Sequence, residues 1–272
     1  MSKAPRLACE VFGNHLNQRP VLVLIHGFLG SSHDWHRTIE HLPVNQPVLA
    51  IDLPGHGRSP LLDPNDAEAR WDMAQICDAI KRTINYCGVR EYWLVGYSLG
   101  ARLAMQYAVR SQSQDAGLLG VMLEAGHPGL TESAERPARW HHDQAWAHRF
   151  ESEPLAQVLD DWYQQGVFAS LNRRQRGKLI ALRAENHGPS LAMMMRQCSL
   201  AKQPDWRLHW PSDLKTHYLV GAQDDKFMAL AQQLAQQSGW HCHTIAKAGH
   251  NTHQQQPRAF AARMMQILNQ VE

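Results

Sequence analysis

VGYSLGAR, Val95 to Arg102, sets a serine between two glycines directly after the apolar run YWL, and an arginine four residues beyond the serine. The run reads as a short strand, and Ser98–Ser111 has the patterning of a helix. G-x-S-x-G at such a junction exposes a hydroxyl on a turn too sharp for flanking side chains. The helix that begins there offers free N–H groups to an anion. A tight turn with an N-capping serine would use the same residues, so the pentapeptide has to be read in its surroundings.

Similar runs recur at Val21–Gly27, Val48–Gly55, Leu118–Gly126 and His217–Asp224. Each is short, rich in branched residues and closed by turn formers, as expected of strands buried on both faces. Helical patterning fills Asp66–Tyr86, Lys226–Gln237 and Pro257–Gln270. This alternation predicts an α/β fold, a mostly parallel central sheet flanked by helices. From about Pro128 to Gln203 no strand-like run appears. Helical pieces are expected there near Pro137–Phe150, Pro154–Gln165, Asn172–Glu185 and Pro189–Lys202, several starting on a proline suited to a first turn. The chain therefore divides into a core, residues 1–127 and 204–272, and a helical cap or lid, residues 128–203. The lid would cover the strand C-termini, where ligands bind in open α/β sheets.

A chain of 272 residues can bury one large core with a modest insertion, and 44% apolar with 19% charged residues is an ordinary globular balance. The formal charge of +2 is small and scattered, which argues against nucleic acid or an anionic membrane as partner. The longest clean apolar run, Val21–Ile25, is far short of a membrane span. Five widely spaced cysteines without a C-x-x-C pair fit reduced thiols, and MSKAPRLACEVFG lacks the apolar core of a signal peptide. The expectation is a soluble cytoplasmic protein whose oligomeric state stays open.

A reactive serine needs a histidine, and the histidine a carboxylate. In this architecture the expected chain order is serine, carboxylate, histidine. Asp224 in LVGAQDDKF lies just beyond a strand and after the lid, and His250 in AKAGHNTH lies on a loop before the last helix. Asp225 is a rival for Asp224, and His253 a weaker rival for His250. Asp52 in DLPGHGRS precedes the serine and reads better as a turn organiser. His241 and His243 share a strand face, but no matching ligand set makes a metal site; neither metal nor cofactor is expected.

Taken together, LIHGFLG, DLPGHGRS, VGYSLG, GAQDDKF and AGHN resemble the α/β-hydrolase fold in motif and order. On that resemblance the lid is inserted after the sixth strand. HGFLGSSHDW resembles the oxyanion loop, so the backbone N–H groups of Phe28 and Leu99 would point at one spot; His26 reads as a loop anchor or a direct participant. A closer likeness runs through LVGYSLGAR, EAGHPGL, DWYQQGVFASLN, LIALR and KAGHNTH. These are similar to the 2-succinyl-6-hydroxy-2,4-cyclohexadiene-1-carboxylate synthases of the menaquinone pathway, nearly end to end and through the lid. The resemblance implies a lyase: a ring proton is removed and pyruvate is eliminated from 2-succinyl-5-enolpyruvyl-6-hydroxy-3-cyclohexene-1-carboxylate. It implies that Ser98 is the catalytic base, activated by His250 and oriented through Asp224, with Phe28 and Leu99 holding developing charge.

Arg102 lies one helical turn beyond Ser98, on the same face. A guanidinium there suits one of the three carboxylates that the implied substrate carries. The resemblance further implies that Tyr97, Arg139, Trp162 and Arg183 line the pocket. Three departures stand out: Ala101 and Ala125 replace expected glycines, and QQSGWHCH looks long. A carboxylesterase or thioesterase using Ser98 as nucleophile is the main alternative, and a non-catalytic receptor for a small acid is another.

Overall fold

The structure, a computed structural model, describes residues 6–13, 16, 18–61, 71–111 and 115–270. Its strands are β1 (Cys9–Phe12), β2 (Val21–Ile25), β3 (Val48–Ile51), β4 (Tyr92–Tyr97), β5 (Leu118–Glu124), β6 (Lys215–Gly221) and β7 (His241–Ile245). They form one sheet in the order β1-β3-β2-β4-β5-β6-β7. All neighbours are parallel except β1, which runs antiparallel to β3. The helices are α1 (His36–Ile39), α2 (Met73–Tyr86), α3 (Leu99–Ser111), α4 (Glu135–Ser152), α5 (Leu155–Trp162), α6 (Arg173–Arg183), α7 (Gly188–Gln197), α8 (Asp225–Gln237), α9 (Thr252–Gln255) and α10 (Pro257–Asn269).

The unbroken apolar run of β2 follows from burial on both faces. Val21, Val23 and Ile25 enter a cluster shared with α2, α3 and α8, while Leu22 and Leu24 enter one shared with α10. Such double coverage is the rule for parallel strands. A third apolar cluster belongs to the helices between β5 and β6: Phe150, Val158, Leu159, Leu179, Leu191 and Met195 pack together, joined by Leu29 from the loop after β2.

The helical insertion follows β5, the fifth described strand, and not a sixth. A count of six requires two strands before β2, whereas β1 alone precedes it among the described residues. That short, partly exposed edge strand carries too little pattern to be read from sequence. The helix expected over Asp66–Tyr86 begins at Met73, where Asp72 and Gln75 form a reciprocal capping box; residues 66–70 lie outside the described residues. Among the described residues no helix is long and apolar enough to cross a membrane.

Chain order and sheet order part company at β2, whose sequence successors β3 and β4 flank it on opposite sides. The loops leaving β2 and β4 therefore diverge around a crevice at their C-terminal ends, where open α/β sheets bind ligands.

Candidate active site

Ser98 follows the last residue of β4 and has φ +50, a left-handed conformation that a non-glycine residue adopts only when its surroundings enforce it. Its N–H donates to the Glu124 carbonyl at 2.8 Å, and its carbonyl accepts from Arg102 N–H at 3.1 Å, fixing the turn between β5 and the first turn of α3. The flanking glycines permit this. A Cβ on Gly96 would stand 2.4 Å from the Gly100 carbonyl, and one on Gly100 would stand 2.2 Å from the Ile25 carbonyl. The motif therefore lets α3 begin against both its own strand and β2.

His250 Nδ1 lies 2.7 Å from Asp224 Oδ2, and its Nε2 lies 3.4 Å from Ser98 Oγ. A carboxylate only accepts, so Nδ1 carries the proton and Nε2 presents its lone pair to the hydroxyl. The second contact is long for O–H···N, as catalytic pairs often are until the reacting groups align. Asp224 caps α8, accepting from Phe227 N–H at 3.3 Å, whereas Asp225 is exposed as the first residue of that helix. The Asp224 and His250 loops are tied by Gln223 N–H donating to the Ala248 carbonyl at 2.8 Å. Phe227, Tyr97 and Phe168 surround the imidazole at ring separations of 4.7, 5.4 and 6.1 Å. His253 points elsewhere: it is fully buried, stacked on Trp35, and bonded through Nδ1 to Glu124 Oε2 at 2.7 Å.

Leu99 opens α3, so its N–H has no partner one turn back in the helix. Phe28 lies on the loop after β2, whose last residue Ile25 pairs with Gly96. Both backbone positions thus leave adjacent strands beside Ser98. His26 anchors this loop: Nδ1 bonds the Gly27 carbonyl at 2.7 Å, and Nε2 accepts from Leu53 N–H at 2.9 Å. Asp52 organises turns, accepting from Ser32 and Arg58 N–H groups at 2.6 and 3.0 Å.

The expected pocket residues divide into two groups. Arg102 is half-buried; its Nε donates to Gln203 Oε1 and its Nη2 to the Cys198 carbonyl, both at 2.6 Å. Burial, assisted by the nearby charge of Arg139, lowers its pKa to about 10, which still leaves it charged at neutral pH. Arg139 on α4 bonds Asp143 through Nε at 2.9 and 3.0 Å. His127, after β5, is held neutral, its pKa lowered to about 3 by burial and by Lys226, Arg102, Arg207 and Arg139 around it. These cations gather around His127. Arg183 lies elsewhere, 5% exposed, its Nη2 donating to Asp34 Oδ2 at 2.6 Å and its Nε buried without a partner. Trp162 is half-buried among Phe28, Trp146 and Phe150, at ring separations of 5.3, 5.0 and 5.6 Å. The Tyr97 ring is buried between His250 and His253, and burial holds its hydroxyl well above the usual tyrosine range, so the phenol stays protonated.

Sequence reasoning missed the residues that hold these groups in place: Asp34, Glu124, Asp143, Ser199 and Gln203, all buried. Only Glu124 carried a signal, as a carboxylate ending an apolar strand. Its Oε1 accepts from Thr252 N–H, Thr252 Oγ1 and His253 N–H, fixing the turn just after His250. Among the described residues no group of three His, Cys, Asp or Glu side chains could hold a metal. A hollow of about 930 Å³ beside Trp210, Trp240 and His243 contains none of the triad and offers no comparable chemistry.

The model of the alpha/beta hydrolase family matches residues 22–263. A protein of Yersinia pseudotuberculosis (serotype O:1b, strain IP 31758) named 2-succinyl-6-hydroxy-2,4-cyclohexadiene-1-carboxylate synthase is 46% identical over 263 residues, covering 94% of this chain and 90% of its own. A Klebsiella pneumoniae protein of the same name is 45% identical over 250 residues, covering 92% and 94%. The structure of MenH from S. aureus superposes with a TM-score of 0.85 at 25% identity, covering 96% of this chain and 98% of that one. The chain belongs to the alpha/beta hydrolase family and, within it, to the 2-succinyl-6-hydroxy-2,4-cyclohexadiene-1-carboxylate synthases.

Proposed function

We propose that the protein is a carbon–oxygen lyase of menaquinone biosynthesis, converting 2-succinyl-5-enolpyruvyl-6-hydroxy-3-cyclohexene-1-carboxylate to 2-succinyl-6-hydroxy-2,4-cyclohexadiene-1-carboxylate and pyruvate. Ser98 Oγ takes a ring proton as its own proton passes to His250 Nε2, and Asp224 steadies the imidazolium at Nδ1. The electrons of the broken C–H bond move into conjugation with the succinyl carbonyl. The Phe28 and Leu99 N–H groups stabilise the resulting oxyanion. The conjugated system then expels the enolpyruvyl oxygen. The departing enolate regains a proton through His250 and becomes pyruvate, so no water is consumed and no acyl-enzyme forms.

In this reading residues 128–203 are the cap over a core of residues 1–127 and 204–272. Arg102 and Arg139 seat substrate carboxylates beside the base. Trp162 walls the pocket, and Tyr97 sets the tilt of His250. Arg183 contributes from behind its contact with Asp34. Five free thiols fit a cytoplasmic protein. The observation that carries the reading is Arg102, a half-buried guanidinium one turn from Ser98 whose hydrogen-bond partners among the described residues are neutral. A site for apolar esters would have no use for that charge, whereas a polycarboxylate completes it.

Incubation with the enolpyruvyl precursor should release pyruvate. Ser98→Ala should lower kcat by about three orders of magnitude, equivalent to about 4 kcal/mol of barrier, while the substrate still binds. Turnover that survives in Ser98→Ala, or an acyl-enzyme burst with a chromogenic ester in place of pyruvate release, would exclude this assignment.

A further inference from the structure

Arg139 and Arg183 each face a carboxylate, Asp143 and Asp34 respectively. Arg102 has instead the amide oxygen of Gln203 and the carbonyl of Cys198. Gln203 is 1% exposed, and its amide is used at both ends: Oε1 accepts from Arg102 Nε at 2.6 Å, and Nε2 donates to the His127 carbonyl at 2.9 Å. A guanidinium only donates and a carbonyl only accepts, so the amide has one satisfied orientation and meets both demands without a charge of its own. The Gln203 carbonyl is itself fixed, accepting from Arg136 Nη1 at 2.8 Å alongside the Ala201 carbonyl at 2.8 Å.

The same segment reaches the second arginine. Ser199 Oγ donates at 2.7 Å to Asp143, the carboxylate that grips Arg139. Residues 198–203 therefore set the placement of both guanidinium groups. The two are treated differently: Arg139 bonds the Asp143 carboxylate directly, whereas Arg102 bonds only neutral dipoles and feels Asp143 through space. A neutral acceptor orients a cation without discharging it, and a buried cation left uncompensated is costly until an anion arrives.

We propose that Gln203 is a positioning residue that aims Arg102 while leaving its charge unspent, and so makes the site selective for anionic substrates. The proposal rests on the lyase reading for the identity of the substrate but not for the presence of an anion seat. Its test uses two readouts on the full chain: pyruvate release, and calorimetric binding of succinate as a plain dicarboxylate probe.

Gln203→Glu keeps the side chain's shape and gives Arg102 a permanent counter-charge. KM should rise at least tenfold with kcat within about threefold of wild type, and succinate affinity should fall by a comparable factor. In an Arg102→Ala background the same substitution should add no further loss, because its effect runs through that guanidinium. Gln203→Met, which keeps bulk but removes the acceptor, gives the test a second variant should Gln203→Glu fail to fold; KM should rise at least threefold with Tm preserved. Unchanged KM and succinate affinity in a folded variant overturn the proposal, as does an undiminished effect in the Arg102→Ala background. If wild type releases no pyruvate yet binds succinate more tightly than Gln203→Glu does, the lyase reading fails and the anion seat stands.

Discussion

Ala125 directly follows β5 with φ +47, and its N–H donates to the Leu219 carbonyl at 3.0 Å. This explains why a glycine is expected in EAGHPGL: the position needs the left-handed region, which costs an L-residue about 1–2 kcal/mol. Unlike Ser98, whose hydroxyl needs that conformation, Ala125 gains nothing chemical from it. Ala125→Gly should remove the strain against a chain-entropy cost of about 0.5–1 kcal/mol, a net stabilisation of roughly 0.5–1 kcal/mol. The denaturant midpoint should rise with an unchanged slope; a lower midpoint would mean that the methyl packs better than its backbone suffers. The Ala101 departure is explained by packing. Ala101 is fully buried, and a Cβ on Gly126 would stand 2.5 Å from its methyl, so the side chain missing from one position makes room for the other.

At the scale of elements, the central question is how the helices between β5 and β6 meet the sheet and its loops. Leu29, 1% exposed and with φ +70, leaves the loop after β2 to enter the apolar cluster of the helices between β5 and β6. Asn186 Nδ2 donates to the Leu29 carbonyl at 3.0 Å, and Leu29 N–H donates to His56 Nε2 at 3.2 Å. The Arg183–Asp34 pair closes the same junction. Burial opposes both charges, yet each partner holds the other ionised: Asp34 is kept below the usual carboxylate range and Arg183 above that of arginine, with Tyr163 assisting. Asp34→Ala strands a buried guanidinium and should cost about 3–5 kcal/mol, while replacing both partners by Leu and Met should recover most of the loss. Thermal unfolding of the three proteins decides this, and a single variant as stable as wild type would mean that water reaches Arg183. The helices between β5 and β6 were legible because prolines at or near their starts, or Asn172 as the cap of α6, mark them locally. The docking was not, because Asp34 and Arg183 stand 149 residues apart and neither position has a pattern.

Across the whole molecule, what sequence conveyed was chemistry placed beyond strand ends: Ser98 and Asp224 each follow a short apolar run, while His250 lies on the loop between the polar strand β7 and the last helices. The hidden layer beneath, Glu124 under His250 and Gln203 under Arg102, consists of polar residues whose purpose appears only once distant backbone groups converge on them. Burial of polar groups also shapes the response to pH. His56 and His127 have pKa values lowered to about 3, and His217 and His243 to about 4, in each case chiefly by burial and then by neighbouring imidazoles or cations. An unfolded histidine titrates near 6.5, so below that pH the unfolded chain binds protons that the folded chain refuses. The contribution of these histidines should be complete above about pH 6.5 and be lost as pH drops toward 4, in the direction set by the unfolded state's extra protons. His217 and His243 face each other across β6 and β7, Nδ1 to Nε2 at 2.9 Å, with His241 stacked on His217. Replacing both by glutamine removes two of the groups that take up protons on unfolding and should flatten the loss measured by denaturant unfolding between pH 7 and 4.5. Asp34 and Asp115, held below the usual carboxylate range by Arg183 and by the Tyr107 and Tyr92 hydroxyls respectively, lose their contribution only below the unfolded carboxylate range, near pH 4, and so leave the upper part of that window to histidine. An equally steep slope in the double glutamine variant would assign the acid sensitivity to His26, His56 and His127 around the crevice.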